Sequence, residues 1–262
     1  MCIIVYKPAG IESPSWATLH KCFNYNSDGA GFMYAENGKV HIHKGFMSWN
    51  GFKKAFKAFK NRQDLPLVCH FRITTHGGTE KGLCHPFPLS SNVSELKATE
   101  SETEIGIAHN GCISLTSYAG KGMSDTSEFI RKYANIIVTN PQWYRNPDAN
   151  KLLGEVIGSK MLVLSNDGHG EVVGDGWTED NGVMYSNKTY MSYTNWWSNS
   201  TVSNKSLYSD MYSDAYTSGY DYGYNDGTYR PTYCKYWYTE KGEASTPSKE
   251  CEGCCEYRYC WE

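Results

Sequence analysis

The chain lacks any apolar run approaching the roughly 18–20 residues that cross a bilayer. Its N-terminus has no basic stretch, no signal-length apolar segment and no cleavage site. These absences predict a soluble, cytoplasmic protein with no membrane partner. A surplus of positive charge is missing too: the net charge is −3, so there is no global electrostatic case for nucleic acid or an anionic surface. No Gly-rich phosphate loop and no basic nucleotide site is found. Aliphatic residues almost vanish over 191–230, where Ser, Tyr, Asn, Asp, Thr and Gly dominate. Such a stretch cannot bury enough apolar surface to offset chain entropy, which predicts a low-complexity linker.

What is present fits one large domain followed by an appendage. The 262 residues include ten cysteines, unevenly spread. Cys2, Cys22, Cys69, Cys84 and Cys112 are isolated, whereas Cys251, Cys254, Cys255 and Cys260 crowd the end of the chain. In a reducing compartment isolated cysteines fill cores and clusters ligate metals. Strand-like runs recur at Cys2–Tyr6, Gly31–Ala35, Lys39–His43, Leu67–Arg72, Ile105–Ala108, Lys160–Ser165 and Glu171–Val173. Asn37-Gly38 and Asn166-Asp167-Gly168 are turn signals between strand pairs. Helical spacing marks Gly51–Arg62, Thr126–Ile137 after the capping pair Ser124-Asp125, and Ala149–Gly158 with the stripe Leu152, Leu153, Val156, Ile157. Strands and helices in blocks predict an α+β layered domain over residues 1–190.

Cys2, directly behind Met1, is the residue on which function turns. Loss of Met1 leaves a thiol and a free α-amine on one residue, a nucleophile and a weak base titrating near pH ~8. Four islands accompany it. Asn26-Ser27-Asp28-Gly29-Ala30-Gly31 is a tight turn entering a strand. His70-Phe71-Arg72-Ile73-Thr74-Thr75-His76-Gly77-Gly78 delivers an arginine suited to a bidentate grip on a carboxylate, then a donor-rich turn; His85-Pro86-Phe87 follows. Ala108-His109-Asn110-Gly111 pairs an amide side chain with a glycine N–H, the donors an oxyanion needs. Asp125 caps a helix and offers a carboxylate to an ammonium.

The order and spacing of these islands resemble the class II glutamine amidotransferase domain, a member of the N-terminal nucleophile hydrolases, over residues 2–190. The resemblance implies a four-layer αββα sandwich. It makes Cys2 the nucleophile on the glutamine side-chain amide and matches the H-x-R-x-x-T-H-G segment to His70 through Gly77. Arg72 then grips the α-carboxylate, and Thr75 and His76 line the same pocket. The H-P-F motif matches His85-Pro86-Phe87, and H-N-G matches His109-Asn110-Gly111, the oxyanion donors. Asp125 matches the aspartate that holds the substrate ammonium. Asp180 through Asn187 resembles the closing strand of stand-alone phage and bacterial members. One departure is Ile73, where many synthases carry Trp on a loop that closes over glutamine. Leu89–Glu104 reads as a polar surface insertion.

The reading that follows is a stand-alone glutaminase. It releases glutamate and ammonia from L-glutamine through a thioester, needs no cofactor for that chemistry, and hands ammonia to a separate synthase or ligase subunit. After residue 190 the chain leaves no room for a synthase domain of its own. Two other readings stay open: an N-terminal nucleophile amidohydrolase acting on a γ-glutamyl or other amide, and a non-catalytic scaffold on the same fold. At the C-terminus, residues 231–262, Cys234, Cys251, Cys254 and Cys260 are either four zinc ligands of a small knuckle or redox-active or merely reduced cysteines in a flexible tail.

Overall fold

The structure, a computed structural model, describes residues 2–74, 78–115, 122–138 and 140–191. Within them lie two antiparallel sheets and seven short helices, a mixed α+β architecture. The strands are β1 Ile3–Lys7, β2 Ala30–Glu36, β3 Lys39–Phe46, β4 Leu67–Phe71, β5 Phe87–Pro88, β6 Glu100–Thr103, β7 Ile105–Asn110, β8 Lys160–Ser165, β9 Gly170–Val173, β10 Thr178–Asp180 and β11 Val183–Tyr185. The larger sheet runs β10-β11-β1-β4-β2-β3-β6 and the smaller β5-β7-β8-β9. The helices are α1 Trp16–Tyr25, α2 Trp49–Phe56, α3 Val93–Lys97, α4 Asp125–Phe129, α5 Asn135–Val138, α6 Pro141–Tyr144 and α7 Pro147–Ile157.

Alternation along the strands divides the apolar side chains into two sets. Ile3, Val5, Phe32, Tyr34, Leu67, Cys69 and Phe71 leave the large sheet on one side, where they meet Leu19, Cys22 and Phe23 of α1 and Phe52 and Phe56 of α2. Ile4, Tyr6, Met33, Val40, Ile42 and Val68 leave on the other and meet Ala108, Leu162 and Leu164 of the smaller sheet. The far side of the smaller sheet, with Ile105, Ile107, Met161 and Val163, packs on Phe129, Ile130, Leu153 and Ile157. The two sheets approach closely at Gly106: a Cβ there would lie 2.5 Å from Met33 Sδ and 3.0 Å from Val40 Cγ1. Any side chain there requires Met33 and Val40, both buried, to move.

Several sequence expectations hold with shifted bounds. Asn37 and Gly38, with φ of 52° and 72°, turn β2 into β3, as a two-residue hairpin of that sequence does. The helix expected at Gly51 starts two residues earlier, because Ser48 accepts the Gly51 N–H at 3.2 Å and caps it. The helix expected over Thr126–Ile137 runs from Asp125 to Val138, with a wider π turn at Ile130–Ala134. Two readings need correction. Of the α7 stripe only Leu153 and Ile157 are buried; Leu152 and Val156 are 52% and 41% exposed, since the helix lies on the sheet along a single row. Leu89–Glu104 is no mere surface insertion, because Leu96 is fully buried and β6 completes the edge of the large sheet against β3. Helix α1 was not expected at all, although Ser15 caps it through the Thr18 N–H, and Leu19, Cys22 and Phe23 carry helical spacing.

Lys7 ties β1 to two loops. Its ammonium donates to the carbonyls of Ile11, Arg62 and Gln63 at 3.0, 3.0 and 3.1 Å, and the residue is buried. All three protons go to carbonyls; burial opposes the charge and Asp64 nearby favours it. Two substitutions test this architecture in a urea melt. Lys7→Met keeps the stem and removes the donors, and loses about 2–4 kcal/mol. Gly106→Val forces the two sheets apart and loses about 1–3 kcal/mol or more. Stability equal to the parent in either variant contradicts the packing described.

Candidate active site

Strand register creates the site. In the β1–β4 pair Ile3 lies opposite Phe71, so the residues just beyond each strand end, Cys2 and Arg72, come side by side. The turn expected at Asn26–Gly31 locks the end of β4. Asp28 N–H donates to the Arg72 carbonyl at 3.0 Å, Arg72 N–H donates to the Gly29 carbonyl at 2.8 Å, and the Thr74 N–H donates to Asp28 Oδ2 at 2.7 Å. On the other side of β1, Asn187 Nδ2 donates to the Cys2 carbonyl at 2.7 Å, and the Ile4 N–H donates to Ser186 Oγ at 2.8 Å.

Cys2, Arg72, Ile73, His85, His109, Gly111, Ser124, Asp125 and Thr126 line one pocket. Five residues expected from sequence, Cys2, Arg72, His85, Gly111 and Asp125, thus converge. Asn110 sits behind the wall, with Nδ2 donating to Ser186 Oγ at 3.0 Å. Its Oδ1 is buried and has no hydrogen-bond partner among the described residues. Exchanging the two ends of this amide keeps the Ser186 bond, because the hydroxyl can donate to Oδ1, and points Nδ2 where Oδ1 lies. Thr75, His76 and Met1 lie outside the described residues, as do the 191–262 linker and tail beyond Met191 with Cys234, Cys251, Cys254 and Cys260. Among the described residues no group of three His, Cys, Asp or Glu is placed to hold a metal, and no helix is long and apolar enough to cross a membrane.

Backbone geometry shapes the wall opposite Cys2. Gly111 has φ of 134°, a region L side chains rarely enter, and a Cβ there would stand 2.5 Å from Ser159 Cβ. His109 is clamped at both ring nitrogens, by Thr126 Oγ1 at 2.8 Å and Ser159 Oγ at 2.6 Å. Asp125 opens α4 behind the capping box of Ser124 and Ser127, and its Oδ2 accepts the Ile113 N–H at 2.8 Å. Thr126 Oγ1 lies 3.4 Å from Asp125 Oδ1, so backbone and a neighbouring hydroxyl orient the carboxylate at the pocket lining. Sequence reasoning placed Ser186 and Asn187 in a closing strand, which the structure ends at Tyr185, but gave them no contacts, and it gave Ser159 no role; nothing in their local sequence signals contacts with residues 2, 4 and 109.

The Cys2 thiol lies against the Ile73 backbone, donating to its carbonyl at 3.3 Å and accepting its N–H at 3.4 Å. Burial pushes this thiol above its ordinary range and Asp125 adds to that; the Ile73 N–H and Arg72 pull the other way. A half-buried, desolvated thiol of this kind needs a base to ionise it near neutrality. The free volume is about 20 Å³, room for one water.

Behind Arg72 lies a buried group of neutral imidazoles. His70 and His85 rings are 4.2 Å apart, and His70 Nε2 bonds the His109 carbonyl at 3.0 Å. Burial lowers the pKa of all three histidines, that of His70 to about 3 and that of His85 well below the usual value. Burial also lowers Lys44 to about 7, its ammonium donating to the Leu96 carbonyl at 2.6 Å and lying 3.8 Å over the Phe87 ring.

Depressed imidazoles make the fold acid-sensitive. Below pH ~6.5 the unfolded chain takes up protons that the folded chain refuses, so stability falls as pH drops from ~6.5 towards 3. Each refused proton contributes about 1.4 kcal/mol per pH unit. Thermal melts at pH 7, 6, 5 and 4 should show a steadily falling midpoint. His70→Gln, which can still donate to the His109 carbonyl, should flatten that slope; an unchanged slope removes His70 from the account. No protein-family model matches the chain, and comparison with curated proteins likewise finds no match.

Proposed function

We propose that the protein is a glutaminase of the class II amidotransferase type, built on a four-layer N-terminal nucleophile fold. The observation that carries this reading is the convergence of Cys2, Arg72, Gly111 and Asp125 on one pocket from four separate segments of the chain. The three apolar clusters support αββα layering: helices on the outer side of each sheet, and sheet against sheet between them. In this reading Met1 is removed and the Cys2 α-amine takes the thiol proton. The sulfur attacks the side-chain amide carbon of L-glutamine. Arg72 holds the α-carboxylate and Asp125 the α-ammonium, with Thr75 and His76 beside them as the resemblance implies. The Gly111 N–H and the Asn110 amide, with its Nδ2 and Oδ1 exchanged, hold the oxyanion as the resemblance implies. The α-amine returns its proton to the departing ammonia, and water cleaves the thioester to release glutamate. A separate synthase or ligase consumes the ammonia.

A second reading, a non-catalytic scaffold, is favoured by one observation. A volume of about 20 Å³ does not admit glutamine with the lining residues in this arrangement. Glutamate release from L-glutamine, with intact mass recorded for each protein, separates the two. The glutaminase reading expects loss of Met1, turnover by the parent, none by Cys2→Ala, and a roughly 100- to 1,000-fold lower kcat in Asn110→Ala. A mature chain that has lost Met1 yet leaves glutamine and γ-glutamyl amides intact assigns the fold to the scaffold.

A further inference from the structure

The net charge of −3 conceals a strong asymmetry. Residues 16–62 carry eight Lys or Arg against two Asp or Glu, while the rest of the chain carries 17 against 26. Three of the eight are engaged elsewhere or stand apart: Lys44 is buried, Arg62 pairs with Glu36 and Asp64, and Lys39 opens β3 at the hairpin turn. The other five, Lys21, Lys53, Lys54, Lys57 and Lys60, belong to α1, α2 and the turn that follows, segments without a single acidic residue. All five are exposed or half-buried, and none is in an ion pair among the described residues.

Aromatic rings are set among these lysines. Trp16 and Trp49 meet edge to face with centroids 6.0 Å apart, bringing the two helices together. The ammonium groups of Lys53 and Lys60 lie 5.5 and 5.9 Å from the Trp16 ring. His20, exposed, stacks on Trp49 at 4.7 Å. Tyr25, one turn after Lys21 on the same side of α1, is 61% exposed.

We propose that this outer face of α1 and α2 binds single-stranded nucleic acid, independently of the Cys2 pocket. Five lysines without a carboxylate partner among the described residues, of which Lys60 also donates to the Ser13 carbonyl at 3.3 Å, offer charge to a phosphate backbone, and exposed rings offer π surfaces to unstacked bases. The aliphatic and phenylalanine side of both helices is spent on the large sheet, with Leu19, Cys22, Phe23, Phe52 and Phe56 buried. Little is left to insert into a lipid surface. A duplex would use the lysines but leave Tyr25 and His20 without bases to stack on, and an acidic protein surface would not require the rings.

Fluorescence anisotropy of the full chain with a labelled mixed-sequence DNA or RNA strand of about 30 nucleotides tests this. Saturable binding at about 50 mM NaCl should weaken roughly 100-fold at about 200 mM, as five phosphate contacts on a single strand require. The triple variants Lys53→Glu/Lys54→Glu/Lys57→Glu and Lys53→Gln/Lys54→Gln/Lys57→Gln, checked by thermal melt, should bind more weakly, and the neutral one should show a salt slope reduced by about 2. Tyr25→Ala should lose roughly tenfold with the slope unchanged. Lys151→Glu, on α7, should bind as the parent does. No binding at low salt, equal binding by both triple variants, preference for the duplex of the same sequence, or lysine-dependent binding to phosphatidylserine vesicles without binding to the strand each overturns the proposal.

Discussion

β1 pairs with β4 so that Ile3 faces Phe71, and everything at the pocket hangs on that register. A slip of one residue would send Ile3 and Val5 towards the smaller sheet and Ile4 and Tyr6 towards α1 and α2, exchanging two apolar sets that fit different partners. The same slip would carry Cys2 away from Arg72. Packing on both faces of β1 thus enforces the position of a residue that itself lies outside the strand. Lys7 fastens the opposite end of β1 to three loop carbonyls, and Asn187 and Ser186 fasten its first residues. The strand is pinned at both ends and along both edges.

Electrostatics at the pocket follow from burial rather than from ion pairing. The imidazoles of His70, His85 and His109 stay neutral because no carboxylate compensates their desolvation, apart from a modest pull of Asp125 on His109. Neutral rings leave Arg72 as the side-chain cation that acts on the Cys2 thiol, while Lys44, its pKa lowered to about 7 by burial, acts on Cys84. Such an arrangement favours an anionic group at Arg72 while keeping the Cys2 sulfur protonated until a base acts.

Much of this was legible in the residues, for identifiable reasons. Alternating apolar runs gave the central strands, because each is buried on both sides and β-rich. Asn37-Gly38 announced its hairpin through backbone conformations that few residues tolerate. The lining residues Cys2, Arg72, His85, Gly111 and Asp125 were legible because each sits at the end of an element, where chemistry-bearing side chains stand apart from core patterns. Edge elements were harder. β6 is polar on both faces and α3 contributes only Leu96 to the core, so periodicity had nothing to register. The partners of Cys2 and Asn110 were invisible because they come from residues 186 and 187, and no local pattern encodes a contact over such a separation. The exposure of Leu152 and Val156 was equally hidden, since an apolar stripe states what a helix could bury, not how much of it a neighbour covers.

The hydrogen bond from Ile4 to Ser186 spans 182 residues. Loop-closure entropy rises slowly with length, but contacts of that separation still form only after the intervening chain has condensed. One edge of β1 can be paired once β4 exists; its other edge waits for β11. The segment with Ser186 and Asn187, which backs Asn110 and holds the Cys2 carbonyl, is therefore expected to join the sheet late in folding. A partly folded chain would have the sheet and the thiol without the finished enclosure around them.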